Sequence, residues 1–120
     1  MKNIFTGKRR VIFDLKASGV HGLPDGMTID TNGNLWVALY GGNGVVCVNP
    51  KDGKVIQKLP IPGAHITSVA FGGDKLDELY VTSACQELTK EELKINPLYG
   101  ATFKVTGLGV KGFDGVSAVL

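Results

Sequence analysis

The feature that most constrains the fold is a weak repeat of short strand patterns along the chain. In each copy an apolar run is followed by a glycine-containing turn and a second apolar run, and Trp36 and Tyr80 occupy matching places 44 positions apart. A repeat of roughly 40–45 residues with four short strands is typical of one blade of a β-propeller. The pattern therefore predicts an all-β fold and favours a partial β-propeller over an unrelated β-sandwich.

The strand patterns divide the 120 residues into the parts of three blades. Residues 23–62 form a full blade, residues 1–22 end the previous one, and residues 63–120 make up most of the next. Propellers of this kind close a ring of four or more blades. We therefore expect a fragment, or one part of a larger ring, whose partners are the remaining blades. The expected strands lie near Arg10–Leu15, Met27–Asp30, Leu35–Tyr40, Val45–Asn49, Lys54–Leu59, Ile66–Phe71, Leu79–Thr82 and Thr102–Gly107.

A short insertion interrupts the last blade between residues 86 and 99. Thr89 is followed three residues later by Glu92, the spacing of a helix capping box. The helix predicted near residues 89–95 must end before Pro97, because the residue preceding a proline disfavours helical backbone. A surface loop is the interpretation we prefer, and a lid over the channel mouth is the alternative.

Composition and charge narrow the class of protein. The net charge of +2 is small and scattered, which argues against nucleic acid or an acidic membrane surface as a partner. Cys47 and Cys85 are too few for a disulfide framework, and both lie in apolar runs where a thiol behaves as a small buried hydrophobe. With no signal peptide pattern and no membrane-spanning run, we expect a cytoplasmic protein.

Asp25 is the first candidate for chemistry. It lies between Pro24 and Gly26, just before the strand predicted at Met27–Asp30. The start of a blade's innermost strand lies at the rim of the central channel, where carboxylates from different blades converge and can bind a hard divalent cation. We therefore predict a metal-binding and catalytic role for Asp25. The alternative is an Asx turn, in which the carboxylate only bonds backbone two residues on.

The other polar candidates have simpler interpretations. His21 and His65 are expected to be exposed loop residues, although their similar blade positions leave open that both face the channel. Asp30 and the asparagines after it lack the glycine and glutamate that an EF-hand needs, so they predict a solvated hairpin turn. Trp36 and Tyr80 are expected to pack between blades.

The residues also resemble a known family. The run Leu23–Asp30 followed by Gly33–Ala38 is similar to the Pro-Asp-Gly-Met segment of the regucalcin (senescence marker protein), gluconolactonase and luciferin-regenerating enzyme family. Phe71–Gly73, Leu79–Ala84 and Phe103–Gly112 extend the resemblance over nearly the whole chain. It implies a six-bladed propeller that holds one divalent metal ion, calcium or zinc with magnesium or manganese as further options, and hydrolyses lactones.

The resemblance also implies a role for Asp25. In the family the aspartate of the Pro-Asp-Gly motif is a metal ligand and general base, and it matches Asp25. The other family ligands, a glutamate and an asparagine, lie in blades that this sequence does not contain, as do the arginine and asparagine that contact substrate. We therefore expect the C-terminal part of a metal-dependent sugar lactonase that is inactive alone. The alternative is a calcium-binding regulatory protein that needs no catalysis.

Overall fold

The structure is a computed structural model that describes residues 7–119. These residues contain seven strands and one helix, in an all-β arrangement that forms part of a propeller. The elements are β1 (Leu23–Ile29), β2 (Leu35–Tyr40), β3 (Gly44–Asn49), β4 (Lys54–Pro60), β5 (His65–Gly72), β6 (Glu78–Ala84), α1 (Lys90–Ile95) and β7 (Thr102–Val105). Their order follows the repeat seen in the sequence.

Strands β1 to β4 fall in the full blade predicted at residues 23–62, called the first blade below, and they pair antiparallel in chain order. Tight turns connect these strands, and Gly33 and Gly53 adopt positive φ angles of 83° and 68° that suit glycine. Strand β3 is buried over Gly44–Val48, whereas β4 is exposed at five of its seven residues and buried at none. This gradient is expected when a central strand is covered on both faces and the outermost strand on one.

Strands β5 to β7, with α1 inserted between β6 and β7, fall in the blade predicted at residues 63–120, called the second blade below. The predicted capping box is confirmed: the Thr89 hydroxyl accepts from the Glu92 N–H at 3.2 Å, and the Glu92 carboxylate accepts from the Thr89 N–H at 2.7 Å. The Thr89 hydrogen bonds lower the pKa of Glu92. The helix has no buried residue. Within residues 7–119 no helix has the length and apolar character needed to cross a membrane.

The main hydrophobic core lies between the two blades. Trp36 is 2% exposed and packs edge-to-face on Phe71 at 6.0 Å. The prediction for Trp36 is therefore confirmed. The prediction for Tyr80 is wrong, since Tyr80 is exposed and its hydroxyl donates to Glu78 at 2.7 Å. Side chains alternate along a strand, so Tyr80 points away from the core that Leu79 enters, to a face that no described element covers.

The segment 10–15, predicted as a strand, forms no strand in the structure. A strand needs a neighbour to pair its backbone groups, and no described strand runs beside this segment. Its Phe13 and Leu15 instead pack on a second apolar cluster that includes Leu39. The chain then turns, with the Ser18 N–H donating to the Asp14 carbonyl. The sequence also predicts a short β segment that begins at Asn3 and ends before the turn at Thr6–Gly7, and this segment lies outside the described residues.

The two cysteines differ in environment. Cys47 is buried, and burial together with the charge of Asp30 raises its pKa to about 11. Cys85 is exposed, so the prediction that it is buried is wrong. It follows the last residue of β6, where the chain leaves the sheet and enters the insertion.

A segment after β7 ties the two blades together at one end. The Thr31 N–H donates to the Lys111 carbonyl at 2.8 Å, and the Gly112 N–H donates to the Leu76 carbonyl at 2.8 Å. Gly112 also forms an isolated bridge with Asp30. Because Asp30 follows the last residue of β1, this tie lies at the opposite end of β1 from Asp25.

Candidate functional site

Asp25 lies inside β1, not before it. The pairing of β1 with β2 shifts between Pro24 and Met27, so that Asp25 and Gly26 together lie opposite Ala38. This arrangement is a β-bulge, which breaks the regular alternation of side chains and is over-represented next to active sites. The sequence prediction placed the strand start too late. The bulge explains why the alternating pattern becomes recognisable only after Gly26.

The Asp25 carboxylate is exposed and makes no hydrogen bond with any residue between 7 and 119. The Asx turn that formed the alternative interpretation is therefore absent from the described structure. Ala38, the residue opposite the bulge, has no polar side-chain group that could bind the carboxylate. Both carboxylate oxygens can accept hydrogen bonds or bind a cation.

Gly26 allows the two blades to approach each other beside Asp25. A Cβ atom at Gly26 would lie 2.6 Å from the Ser68 Oγ, 2.8 Å from the Thr67 carbonyl oxygen and 2.9 Å from the Ser68 Cα. The Ser68 hydroxyl can rotate, but the two backbone atoms cannot move without a shift of β5. The bulge that carries Asp25 is thus held directly against the second blade.

We expect Gly26→Ala to lower the free energy of unfolding by about 1–3 kcal/mol, the usual cost of forcing an extra methyl group into a packed site. Urea denaturation followed by Trp36 fluorescence would measure the change. Gly33→Ala is a useful control, because a Cβ there meets no atom within 4 Å, although its φ of 83° adds backbone strain. A smaller loss for Gly26→Ala than for Gly33→Ala would contradict close packing at the bulge.

A second group of polar residues lies at the same end of the strands as Asp25. The rings of Tyr40 and His65 stack at 4.2 Å with an interplanar angle of 10°, and the Tyr40 hydroxyl donates to Glu87 at 3.5 Å. Desolvation, then the charge and hydrogen bond of Glu87, then the charge of Asp25 raise the pKa of Tyr40. The Tyr40–His65 pair is also the backbone pair that joins β2 to β5.

The histidine predictions meet different outcomes. His21 is exposed, as expected. His65 is not an exposed loop residue: it is the first residue of β5, is partly buried, and its Nδ1 is buried without a hydrogen-bond partner among residues 7–119. The stacking against Tyr40 explains this burial. Neither histidine belongs to a potential metal-binding group in this part of the chain.

Asp30 is buried, so the prediction of a solvated turn is wrong. Its Oδ1 accepts from the backbone N–H groups of Asn32 at 2.9 Å and Asn34 at 3.0 Å, while its Oδ2 accepts from the Trp36 Nε1 at 2.9 Å. A buried carboxylate is tolerated when several donors satisfy it. Asp30 therefore has a structural role in fixing the first hairpin of the blade and the Trp36 ring.

The metal site implied by the family resemblance is only partly present. An exposed carboxylate such as Asp25 is a suitable oxygen ligand for a hard divalent cation. However, residues 7–119 contain no group of three His, Cys, Asp or Glu side chains that could hold a metal ion. The described chain therefore offers one candidate ligand and does not form a metal site by itself.

Several residues at this end of the molecule were not identified from the sequence. Tyr40 and Glu87 meet His65, which the sequence did name as a candidate, only when the two blades pack, and the three residues are far apart in the chain. Thr67 is opposite Thr82 at a bulge in the second blade. The runs Pro24–Met27 and Ile66–Val69 share no identical residue, so the sequence carried no signal that relates them.

The comparisons with known proteins define the class. The family model described as SMP-30/Gluconolactonase/LRE-like region matches residues 3–85. The chain belongs to this family, as the sequence resemblance predicted. Regucalcin from Xenopus laevis is 44% identical over 112 residues, covering 93% of this chain and 37% of the relative. An uncharacterized protein from Sulfolobus acidocaldarius is 52% identical over 77 residues, covering 64% of this chain and 27% of the relative.

Solved structures support the same assignment. A luciferin-regenerating enzyme matches with a TM-score of 0.82 and 44% identity, covering 92% of this chain and 36% of that protein. Regucalcin from Agrobacterium tumefaciens, described as a calcium-binding protein, matches with a TM-score of 0.81 and 36% identity, covering 90% of this chain and 35% of that protein. The chain thus spans little more than a third of the length of these relatives.

Proposed function

We propose that this chain forms part of a metal-dependent lactonase of the gluconolactonase type, which hydrolyses sugar lactones. The observation that carries the proposal is the Asp25 carboxylate, which is exposed, has no hydrogen-bond partner among residues 7–119, and lies on a bulge of the strand that would face the ring's channel. Membership of a family whose description includes gluconolactonase supports the substrate class.

In this proposal Asp25 has two functions. It binds the cation through one carboxylate oxygen, and it takes a proton from the water molecule that attacks the lactone carbonyl. A bound divalent cation would supply charge that polarises that carbonyl. Gly26 sets the position of Asp25 by letting β1 lie against β5. The remaining ligands and substrate contacts would come from other blades, which we propose as the partners of this chain.

This chain has an apolar surface beside Asp25 on which another blade could pack. A shallow cavity of about 180 Å³ lies on the first blade, and its lining combines Asp25 with apolar side chains. An apolar sheet face must be covered to be stable in water. We propose that the preceding blade covers it in a cytoplasmic protein that needs no nucleic acid or membrane. The apolar lining is Ile12, Phe13, Leu15, Pro24, Met27, Leu35, Val37 and Val48.

The first experiment tests the isolated chain with calcium and gluconolactone. One carboxylate cannot bind a hydrated cation tightly, so we expect calorimetry to show millimolar or weaker calcium binding and no turnover. The second experiment uses a chimera in which this chain replaces the matching third of Xenopus laevis regucalcin, and we call this chimera the ring-completed protein. We expect that protein to hydrolyse gluconolactone and to lose the activity when a chelator removes divalent metal.

Two outcomes would contradict the proposal. Micromolar calcium binding or clear turnover by the isolated chain would show that the site needs no further blades. A folded ring-completed protein that binds calcium without hydrolysing lactones would instead support the alternative, a calcium-binding regulatory protein. The observation that favours this second candidate is the similarity to the Agrobacterium tumefaciens protein described as calcium-binding.

A further inference from the structure

The second blade repeats the bulge that carries Asp25. The pairing of β5 with β6 shifts by one residue between Ile66 and Ser68, so that Thr67 and Ser68 together lie opposite Thr82. In the first blade Asp25 and Gly26 lie opposite Ala38 in the same way. Structural register therefore makes Thr67 the counterpart of Asp25.

The two bulges adjoin each other. A Cβ at Gly26 would approach the Thr67 carbonyl oxygen to 2.8 Å and the Ser68 hydroxyl to 2.6 Å. Corresponding positions of the two inner strands are thus in contact across the boundary between the blades. Asp25 and Thr67 consequently occupy matching positions on the adjacent strands β1 and β5.

The hydrogen bonds that the Thr67 hydroxyl already makes determine whether it can also bond a ligand. Its Oγ1 lies 2.8 Å from the Thr82 Oγ1, and the Thr82 hydroxyl donates to the Ser68 carbonyl oxygen at 3.5 Å. A hydroxyl has one proton to donate and can accept two. Either hydroxyl can be the donor in the bond between Thr67 and Thr82, and in both cases the Thr67 oxygen keeps at least one lone pair that Thr82 does not use. The Thr67 oxygen therefore keeps capacity to accept a hydrogen bond from another molecule.

We propose that Thr67 is a specificity-determining residue, which accepts a hydrogen bond from a hydroxyl group of the substrate bound beside Asp25. The site would then prefer hydroxylated lactones, such as sugar lactones, over unsubstituted ones. Thr82 holds the Thr67 side chain in place for this contact. This inference rests on the proposed lactonase function and names the part of the substrate that the second blade recognises.

The first test measures binding without catalysis. The ring-completed protein is titrated with 1,5-anhydroglucitol, an unreactive hydroxylated ring, and with tetrahydropyran, which has no hydroxyl group. We expect amide NMR shifts at Thr67 only with the hydroxylated ring. Thr67→Val should weaken this binding roughly three- to tenfold, as expected for one hydrogen bond, whereas Thr67→Ser should preserve it. Thr106→Val, at an exposed threonine just after β7, is the matched control.

The titrations test the role of Thr67 whether or not the protein is a lactonase. No shift at Thr67, equal shifts with both rings, or unchanged binding by Thr67→Val would overturn it. In the ring-completed protein we expect Thr67→Val to lower kcat/KM for gluconolactone by the same factor and to leave kcat/KM for δ-valerolactone unchanged. If the parent hydrolyses neither lactone, the proposed function fails, but the titrations with the two rings still test Thr67.

Discussion

Asp25→Asn in the ring-completed protein is expected to lower kcat/KM for gluconolactone by about 100-fold or more, the usual range for the loss of a general base. The amide keeps the size of the side chain but has no negative charge for a cation and cannot take a proton from water. Initial-rate kinetics at saturating calcium would measure the loss, and calorimetry would measure the accompanying fall in calcium affinity.

The control for this variant is Asp74→Asn, which changes an exposed aspartate in the turn between β5 and β6. Both variants remove one charge, so a general effect of net charge would appear in both. Full hydrolysis by Asp25→Asn would exclude a catalytic role for this carboxylate. Loss of hydrolysis with undiminished calcium affinity would leave Asp25 as a base but not as a metal ligand.

Asp30→Ala is expected to lower the free energy of unfolding by about 3 kcal/mol or more, because three N–H donors lose their acceptor and each unsatisfied buried donor costs about 1–3 kcal/mol. The variant leaves the Trp36 Nε1–H and two backbone N–H groups without their acceptor in a site that Asp30 fills at 0% exposure. Urea denaturation would measure the loss. The fluorescence of Trp36 in the folded state should also change, because its hydrogen bond is lost.

Two further variants make this test specific to buried hydrogen bonds. Asp30→Asn keeps the size but places an amide donor toward the Trp36 donor, so we expect an intermediate loss of stability. Asp52→Ala removes an exposed turn aspartate whose Oδ1 accepts only from the Lys54 N–H at 3.0 Å, and should cost about 1 kcal/mol or less. Equal effects of Asp30→Ala and Asp52→Ala would show that burial adds nothing.

Local patterns in the sequence predicted most of the fold. The runs that became β2 and β3 are rich in apolar and β-branched residues, and glycine turns mark their ends, so their bounds needed little from the rest of the chain. The capping box around Thr89 likewise predicted α1. The blade boundaries at residues 22 and 62 stay predictions, because propeller blades are defined by packing in the whole ring.

The failures have a common physical cause, which is that they concern contacts between distant segments. The segment 10–15 has a strand-like composition, yet no described strand pairs with it. Tyr80 matches Trp36 in sequence position, but among residues 7–119 only Trp36 of the two packs into the core between the blades. In the sequence Asp30 resembles any polar turn residue, and only the folded structure shows that the Trp36 indole donates a hydrogen bond to its carboxylate.

The sequence by itself determined the class of fold, the family and Asp25 as the principal candidate, because strand periodicity, turn residues and the Pro-Asp-Gly run are local features. Only the tertiary structure showed that Asp25 lies in a bulge opposite Ala38, with no hydrogen-bond partner among the described residues, and that Thr67 is its counterpart in the second blade. The reason is that a bulge changes register by one residue. Such a shift is defined by the pairing with the neighbouring strand, and the sequence of a single strand does not show that pairing.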